Sequence, residues 1–366
     1  MDKDDVNAVS SVIKRKMLWA IGPEIKQFES MLASYVGSKY CVAFNSGTSA
    51  LHASLLALKI QPKKEVLVPS FTFIATANSV RMVNANPKFV DIENETFGMD
   101  PESLEKNISD KTKAIIPIHF AGIPCKINEI KSVAKKYKIP IIEDAAEGLG
   151  SKIKNKKLGT FGDVSIFSFA GNKIMTTGEG GAIVTNSKTI FDRLQLIRSH
   201  GRIETKNYFS SNDKPNYVDL GYNWRMSSIT AALAISQLSK LDKLISKRRK
   251  NSQYLSSKLS KIKGVHVISE QNSQFLNYQF YFIMLDSLSK RNSLMKFLAN
   301  KGIMSKVFFY PVHKTKFYSN VKSQNLENTN NISNKILSLP MYPDLTKEEM
   351  NYIVNSISEF AEMKNL

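Results

Sequence analysis

The stretch Ser165-Ile-Phe-Ser-Phe-Ala-Gly-Asn-Lys-Ile-Met-Thr-Thr-Gly-Glu-Gly-Gly-Ala-Ile-Val-Thr185 decides the fold. Val164 to Phe169 is a short β-branched and aromatic run that reads as a strand. A loop of small residues follows, holding one lysine, Lys173, and a Gly-rich turn then feeds a second apolar strand from Gly181 to Thr185. A lone lysine is ordinarily a surface residue. This one lies between two apolar strands, where burial disfavours the ammonium form and lowers the pKa, as a nucleophilic amine requires.

Immediately upstream, Ile139-Pro-Ile-Ile-Glu-Asp-Ala-Ala-Glu147 reads as an apolar strand with acids at its C-terminal end. Open α/β sheets place ligands there. Asp144 has a competing use, as a cap for a helix after the strand. Further upstream, Asn45-Ser-Gly-Thr-Ser-Ala50 joins the run Tyr40 to Phe44 to a helix beginning near Ser49. Such a turn presents free N–H groups and hydroxyls to a phosphate, although many ordinary N-caps have the same composition.

The other apolar runs are Glu65 to Val68, Lys88 to Asp91 and Ala114 to Ile118, with amphipathic segments such as Ile127 to Tyr137 between strands. This alternation predicts an α/β domain with a mostly parallel sheet covered on both faces. A helix should start at Gly22-Pro23, with Ile25, Phe28, Leu32 and Tyr35 on its apolar face. One long helix should run from about Ser227 through Lys250. Beyond it, strand signals at Gly264 to Ile268 and Tyr278 to Leu285, and helices at Arg291 to Asn300 and Lys347 to Met363, predict a smaller α+β domain. The division expected is 1–25 as a segment packing with the small domain, 26–250 as the large domain and 251–366 as the small one. The polar stretch Asn320 to Asn331 reads as a solvated loop.

The chain has 366 residues, 42% of them apolar, enough for two domains with sizeable cores. No apolar run reaches the roughly 18 residues that a membrane span needs. The charged N-terminus lacks the apolar region of a secretory signal. Two cysteines, Cys41 and Cys125, read as buried reduced thiols, no metal-ligand spacing is present, and the chain is expected in the cytoplasm. The formal charge of +19 invites a nucleic-acid reading, but the lysines are scattered rather than gathered in a stripe, so no nucleic-acid partner is expected. A basic surface would still help to gather an anionic small substrate.

Taken together, these pieces resemble the DegT/DnrJ/EryC1/StrS family of nucleotide-sugar aminotransferases. The likeness runs through Gly22-Pro23 with Phe28-Glu29, Ser46-Gly-Thr-Ser-Ala-Leu51, Pro69-Ser-Phe-Thr-Phe-Ile-Ala-Thr-Ala-Asn78, Glu143-Asp-Ala-Ala146, Gly178-Glu-Gly-Gly181, Gly221-Tyr-Asn-Trp-Arg-Met226 and Phe309-Tyr-Pro-Val-His313. It implies a fold-type I pyridoxal 5'-phosphate (PLP) transferase, with a mostly parallel seven-stranded sheet in a large domain plus a smaller α+β domain. It also implies a homodimer with active sites at the subunit interface.

By position, the resemblance makes Lys173 the lysine that holds PLP as a Schiff base and shuttles a proton. Asp144 becomes the partner of the pyridinium nitrogen, and a protonated ring is the stronger electron sink. Phe73 becomes the aromatic that stacks on the ring, unless it is an ordinary core residue, and Gly47, Thr48 and Ser168 become the phosphate cup. Asn223 and Arg225 fall in a motif that reaches the neighbouring subunit's PLP phosphate, the choice between them staying open. Glu147 stands where many relatives carry His or Gln near the ring oxygen. His313 matches a residue near the sugar.

The implied substrates are glutamate and a nucleotide-diphosphate keto sugar. The Gly171-Asn-Lys173-Ile-Met-Thr-Thr177 form looks most like the perosamine-forming members, which aminate C4 of GDP-4-keto-6-deoxymannose. Members acting on UDP- or dTDP-linked keto sugars share much of it. A lysine rather than a histidine at position 173 argues against the family's 3-dehydratases. A non-catalytic PLP-fold regulator would lack the complete Lys, Asp and phosphate set.

Overall fold

A computed structural model describes residues 1–203, 214, 216–271, 273–321 and 325–364. The first half runs α1 (Lys3–Lys14), α2 (Pro23–Val36), β1 (Tyr40–Phe44), α3 (Gly47–Ala57), β2 (Glu65–Pro69), α4 (Ile74–Met82), β3 (Asn86–Val90), α5 (Pro101–Asn107), β4 (Thr112–Ile115), α6 (Ile127–Tyr137) and β5 (Ile142–Asp144). A small hairpin, β6 (Lys152–Ile153) and β7 (Lys156–Lys157), precedes β8 (Val164–Ser168), β9 (Gly181–Thr185) and α7 (Lys188–Arg198). The remainder is α8 (Ser228–Ser239), α9 (Leu241–Leu259), β10 (Val265–Val267), β11 (Gln274–Phe275), β12 (Tyr281–Leu285), α10 (Leu288–Asn300), α11 (Glu327–Lys335), β13 (Ile336–Leu339) and α12 (Lys347–Lys364).

Strands β3-β2-β4 and β1-β9-β8-β5 form two ladders, and parallel bridges Ile115–Ile141 and Ile118–Asp144 join them into one seven-stranded sheet. Its neighbours are parallel except around β9, which runs antiparallel to β8 and β1. All seven expected runs are strands of this sheet. Both faces are covered, so alternate residues of one strand enter different cores. Val42 and Phe44 pack with α3, α4 and α7 residues, whereas Cys41 and Ala43 pack with α2 and α8. Both cysteines are buried free thiols. A separate core joins β10-β12-β13 to α9, α10 and α12.

Three expectations differ from the structure. The long helix breaks at Lys240 into α8 and α9 and continues to Leu259. No Pro or Gly marks the break; the Lys240 ammonium is held instead by Asp5 at 2.9 Å and by Asp2. These contacts also place the N-terminus: α1 lies along α8, with Asp5 accepting hydrogen bonds from Ser236 and Gln237, rather than beside the C-terminal core. Third, part of the expected loop Asn320 to Asn331 is the start of α11. Its first turn is capped from a distance, since the Asp91 carboxylate accepts from the Asn328 and Thr329 N–H groups and the Thr329 hydroxyl. Residues 322–324 of that stretch lie outside the described residues.

Candidate active site

The C-terminal ends of β5 and β8 and the N-terminus of α3 enclose a cavity of about 440 Å³. Gly47, Thr48, Phe73, Asp144, Glu147, Ser168 and Lys173 all line it, so seven residues singled out across 127 positions of sequence converge on one space.

Lys173 follows β8 in a loop whose Lys173 N–H donates to the Ala170 carbonyl at 3.0 Å. The Gln279 side chain donates to the Asn172 carbonyl at 2.5 Å, fixing that loop to the C-terminal part of the chain. The Lys173 Nζ lies 3.2 Å from Glu147 Oε1. Its neighbour is therefore a carboxylate. Glu147 Oε2 is anchored by the Ala121 N–H at 2.8 Å, in a turn where Ala121 has φ +58°.

Asp144 ends β5 and is buried. Its Oδ2 accepts from the Thr76 hydroxyl at 3.0 Å and its Oδ1 from the Ala146 N–H at 3.2 Å. Burial pushes its carboxyl above the usual range, against those two donors and the nearby Lys173. A buried carboxylate so placed favours a positively charged partner. Phe73 caps α4 and is 60% exposed, an unusual position for a core residue; its ring meets Phe309 at a centroid distance of 6.4 Å and opens to the cavity.

At the N-terminus of α3, the Ser46 side chain accepts from the Ser49 N–H, closing a capping box. The N–H groups of Gly47 and Thr48 lie in the first turn, where a helix has no acceptors of its own. A Cβ on Gly47 would fall 2.9 Å from the Ser168 Cβ, so only glycine leaves the cradle open. On the other side, a Cβ on Gly181 would fall 2.3 Å from the Ser46 carbonyl oxygen, which explains the glycine at the start of β9.

Three expected site residues do not line this cavity. His313 Nδ1 is 2.7 Å from Ser70 Oγ, and burial, then Lys314, pushes its imidazole pKa down. Asn223 and Arg225 run beside the end of β1, where the Trp224 carbonyl accepts from the Asn45 N–H. Arg225 Nη1 donates to Ser199 Oγ at 3.2 Å and lines a separate cavity with Gly22, Glu29 and Arg198.

Thr76, His119 and Lys306 are among the lining residues that escaped the sequence reading. Thr76 sits within a motif already noted, three residues after Phe73, and its hydrogen bond to Asp144 has no local sequence signal. His119 follows the apolar run Ala114 to Ile118, a strand end where ligands gather, and that signal was available. Its Nε2 is 2.9 Å from Glu143 Oε1 and its Nδ1 accepts from the Cys125 N–H. Glu143 also accepts from the N–H groups of Gly159, Phe161 and Gly162 and from the Ser165 hydroxyl. Against its complete burial, His119 and these amides hold its carboxyl down to about 2.

An amine nucleophile, a buried acid opposite it, an open aromatic face and a helix N-terminus with an open cradle fit a phosphorylated pyridine aldehyde. Comparison with known proteins agrees. The model of the DegT/DnrJ/EryC1/StrS aminotransferase family matches residues 1–358. GDP-perosamine synthase of Escherichia coli O157:H7 is 38% identical over 94% of this chain and 92% of its own. UDP-4-amino-4,6-dideoxy-N-acetyl-beta-L-altrosamine transaminase of Campylobacter jejuni is 33% identical over 99% of this chain and 96% of its own. A Streptococcus pneumoniae structure, titled as a sugar aminotransferase in its PLP form, superposes with TM-score 0.93 at 27% identity, covering 99% of this chain and 97% of that one.

The fold is that of a PLP-dependent aminotransferase. The chain belongs to the DegT/DnrJ/EryC1/StrS family, whose members named here act on nucleotide sugars. Among the described residues, no helix is long and apolar enough to cross a membrane.

Proposed function

We propose that the protein moves an amino group from glutamate to C4 of GDP-4-keto-6-deoxymannose, giving GDP-perosamine. The observation that carries aminotransfer is Lys173 and buried Asp144 facing one cavity. The choice of sugar rests on the Gly171-Asn-Lys173 form and on the likeness to GDP-perosamine synthase. The likeness to a UDP-sugar transaminase supports a UDP-linked keto sugar as the second reading.

When bound, PLP supplies an electron sink for the charge released as the donor's Cα–H bond breaks. The chain's own residues do the rest. Lys173 takes up and returns the proton at the reacting carbon, with Glu147 orienting its amine. Asp144 keeps the ring nitrogen protonated, and Thr76 aims that carboxylate. Phe73 covers the ring face, while Gly47, Thr48 and Ser168 hold the phosphate. His313, held by Ser70 outside the cavity wall, is assigned to the sugar side by the family resemblance alone. The protein works as a homodimer in the cytoplasm, with Asn223 or Arg225 reaching the neighbouring subunit's phosphate.

The test is an amination assay with glutamate and a panel of GDP-, UDP- and dTDP-linked 4-keto-6-deoxy sugars, read by mass. Product from the GDP sugar alone supports the proposal. Product only from another nucleotide moves the assignment to that nucleotide, and no product from any 4-keto sugar ends the C4 reading.

A further inference from the structure

The backbone on both sides of the Lys173–Glu147 contact is held by one short strap, Asn277-Tyr278-Gln279, which lies between β11 and β12. Gln279 is 107 residues beyond Asn172, and Asn277 is 130 beyond Glu147, so only the fold brings them there. Both side chains are buried, Asn277 completely and Gln279 to 2% exposure.

Gln279 acts on the lysine side. Its Nε2 donates to the Asn172 carbonyl at 2.5 Å, one residue before Lys173. Gln279 Oε1 has no partner among the described residues, so that single contact fixes the side chain. Asn277 acts on the carboxylate side. Its Nδ2 donates to the carbonyls of Glu147 at 2.7 Å and Leu149 at 2.9 Å. Its N–H donates to Ser151 Oγ at 3.0 Å, and that hydroxyl donates on to the Gly122 carbonyl at 2.7 Å. The neighbouring Ala121 N–H holds the Glu147 carboxylate. Glu147 is thus gripped by backbone and side chain inside one closed ring of hydrogen bonds. A Cβ on Gly122 would fall 2.1 Å from Asn277 Oδ1, and Gly122 has φ +82°, so the ring closes only around a glycine.

The strap is shaped before it reaches either loop. Asn277 Oδ1 accepts from the Gln279 N–H at 2.8 Å, an Asx turn. Tyr278 between them has φ +50°, a conformation that a residue with a side chain keeps only where its surroundings impose it. Arg248, on α9, helps to impose it by donating to the carbonyls of Tyr278 at 3.1 Å and Gln279 at 3.2 Å.

We propose that Gln279 and Asn277 are positioning residues of the reaction, Gln279 setting the loop that carries Lys173 and Asn277 setting Glu147, so that the strap fixes the distance between amine and carboxylate. The inference rests on the reading above that Lys173 is the amine that holds the cofactor, and adds what aims it. A long, flexible lysine reaches a defined point only if its own backbone and its partner's are both fixed, and small misplacements of a reacting group are costly in rate.

The experiment is a pH titration of the visible absorbance of the PLP-loaded protein without substrate. Wild type is set against Gln279→Met, which keeps the length and loses the donor, Gln279→Asn, which shortens the reach by one methylene, and Asn277→Ala. The absorbance midpoint reports the proton affinity of the Lys173 nitrogen. Drifting away from the Glu147 carboxylate removes a stabiliser of the protonated form, so the midpoint should fall by about one pH unit in each variant, the equivalent of one hydrogen bond. In steady state kcat should fall about tenfold while KM for glutamate changes less than about twofold. A strap with a merely structural role would lower the melting temperature and leave the midpoint in place. That result in whichever Gln279 variant folds overturns the proposal. Lys173→Ala separates it from the reading beneath it. If that variant keeps the wild-type titration, Lys173 is not the amine and both fall. If it loses the titration while the Gln279 variants keep theirs, the strap alone falls and the proposed function stands.

Discussion

The Lys173 amine and the Glu147 carboxylate stand 3.2 Å apart, and the second Glu147 oxygen is tied to the Ala121 amide at 2.8 Å. The lysine is thus aimed by a group that is itself fixed to the backbone. Lys173→Ala should abolish turnover. Glu147→Gln keeps an oxygen within reach of the lysine and should slow the glutamate half-reaction by about tenfold, whereas Glu147→Ala, which leaves the amine unaimed, should slow it by about a hundredfold. Stopped-flow loss of the cofactor's visible absorbance on adding glutamate measures both. Equal rates in Glu147→Ala and the wild type would remove Glu147 from the mechanism.

Thr76 and Asp144 give an isosteric test. Thr76→Val removes one of the two hydrogen bonds to the Asp144 carboxylate and nothing of its volume. Burial already drives that carboxyl toward its neutral form, so losing a donor drives it further and would weaken the proposed hold on a protonated ring. PLP affinity should fall by about tenfold, the equivalent of one charged hydrogen bond, and Thr76→Ser should restore most of it. Fluorescence titration of the apoprotein with PLP decides it. A Val variant that binds like wild type would make Thr76 a packing residue.

Ionised Asp144 is costly to the empty site, which sets stability against function. Asp144→Asn removes the buried charge, so the apoprotein should melt higher than wild-type apoprotein at neutral pH while binding PLP far more weakly. The sign follows from a folded-state pKa that is raised: the native acid is favoured at low pH and penalised once it ionises. Thermal melts of both apoproteins at pH 3.5, below the ordinary carboxyl value, and at pH 8 should show the gap widening with pH. A gap independent of pH would contradict this account.

Local patterning and tertiary contact divide what could be read from the chain. The seven strands were legible because each is a β-branched run buried on both faces, and Lys173, Asp144 and Gly47 because each sits at a strand end or helix start. The break at Lys240 was not, since no Pro or Gly marks it, and the start of α11 was not, since the acid that caps it, Asp91, is distant in sequence. The Glu147 contact was hidden for the same reason. Twenty-six positions separate it from Lys173, and only the fold brings them together.

Glu143 carries the acid sensitivity of the sheet. Its carboxyl is held down to about 2 from an ordinary 4.5, so it contributes stability that is fully present above pH 4.5 and is lost as pH falls through 2. Protonation would forfeit acceptor capacity for three loop amides and for the Ser165 hydroxyl, and it would loosen His119 on the wall of the cavity. Glu143→Gln should therefore cost about 2 to 4 kcal/mol at neutral pH, typical of breaking a buried charged network. Its deficit relative to wild type should shrink on acidification below pH 4.5, because the wild type then loses what the variant already lacks. Urea unfolding at pH 7, 5 and 3.5 measures this. A deficit that stays constant across those conditions would mean that neither His119 nor the loop amides hold the Glu143 carboxyl down in the folded protein.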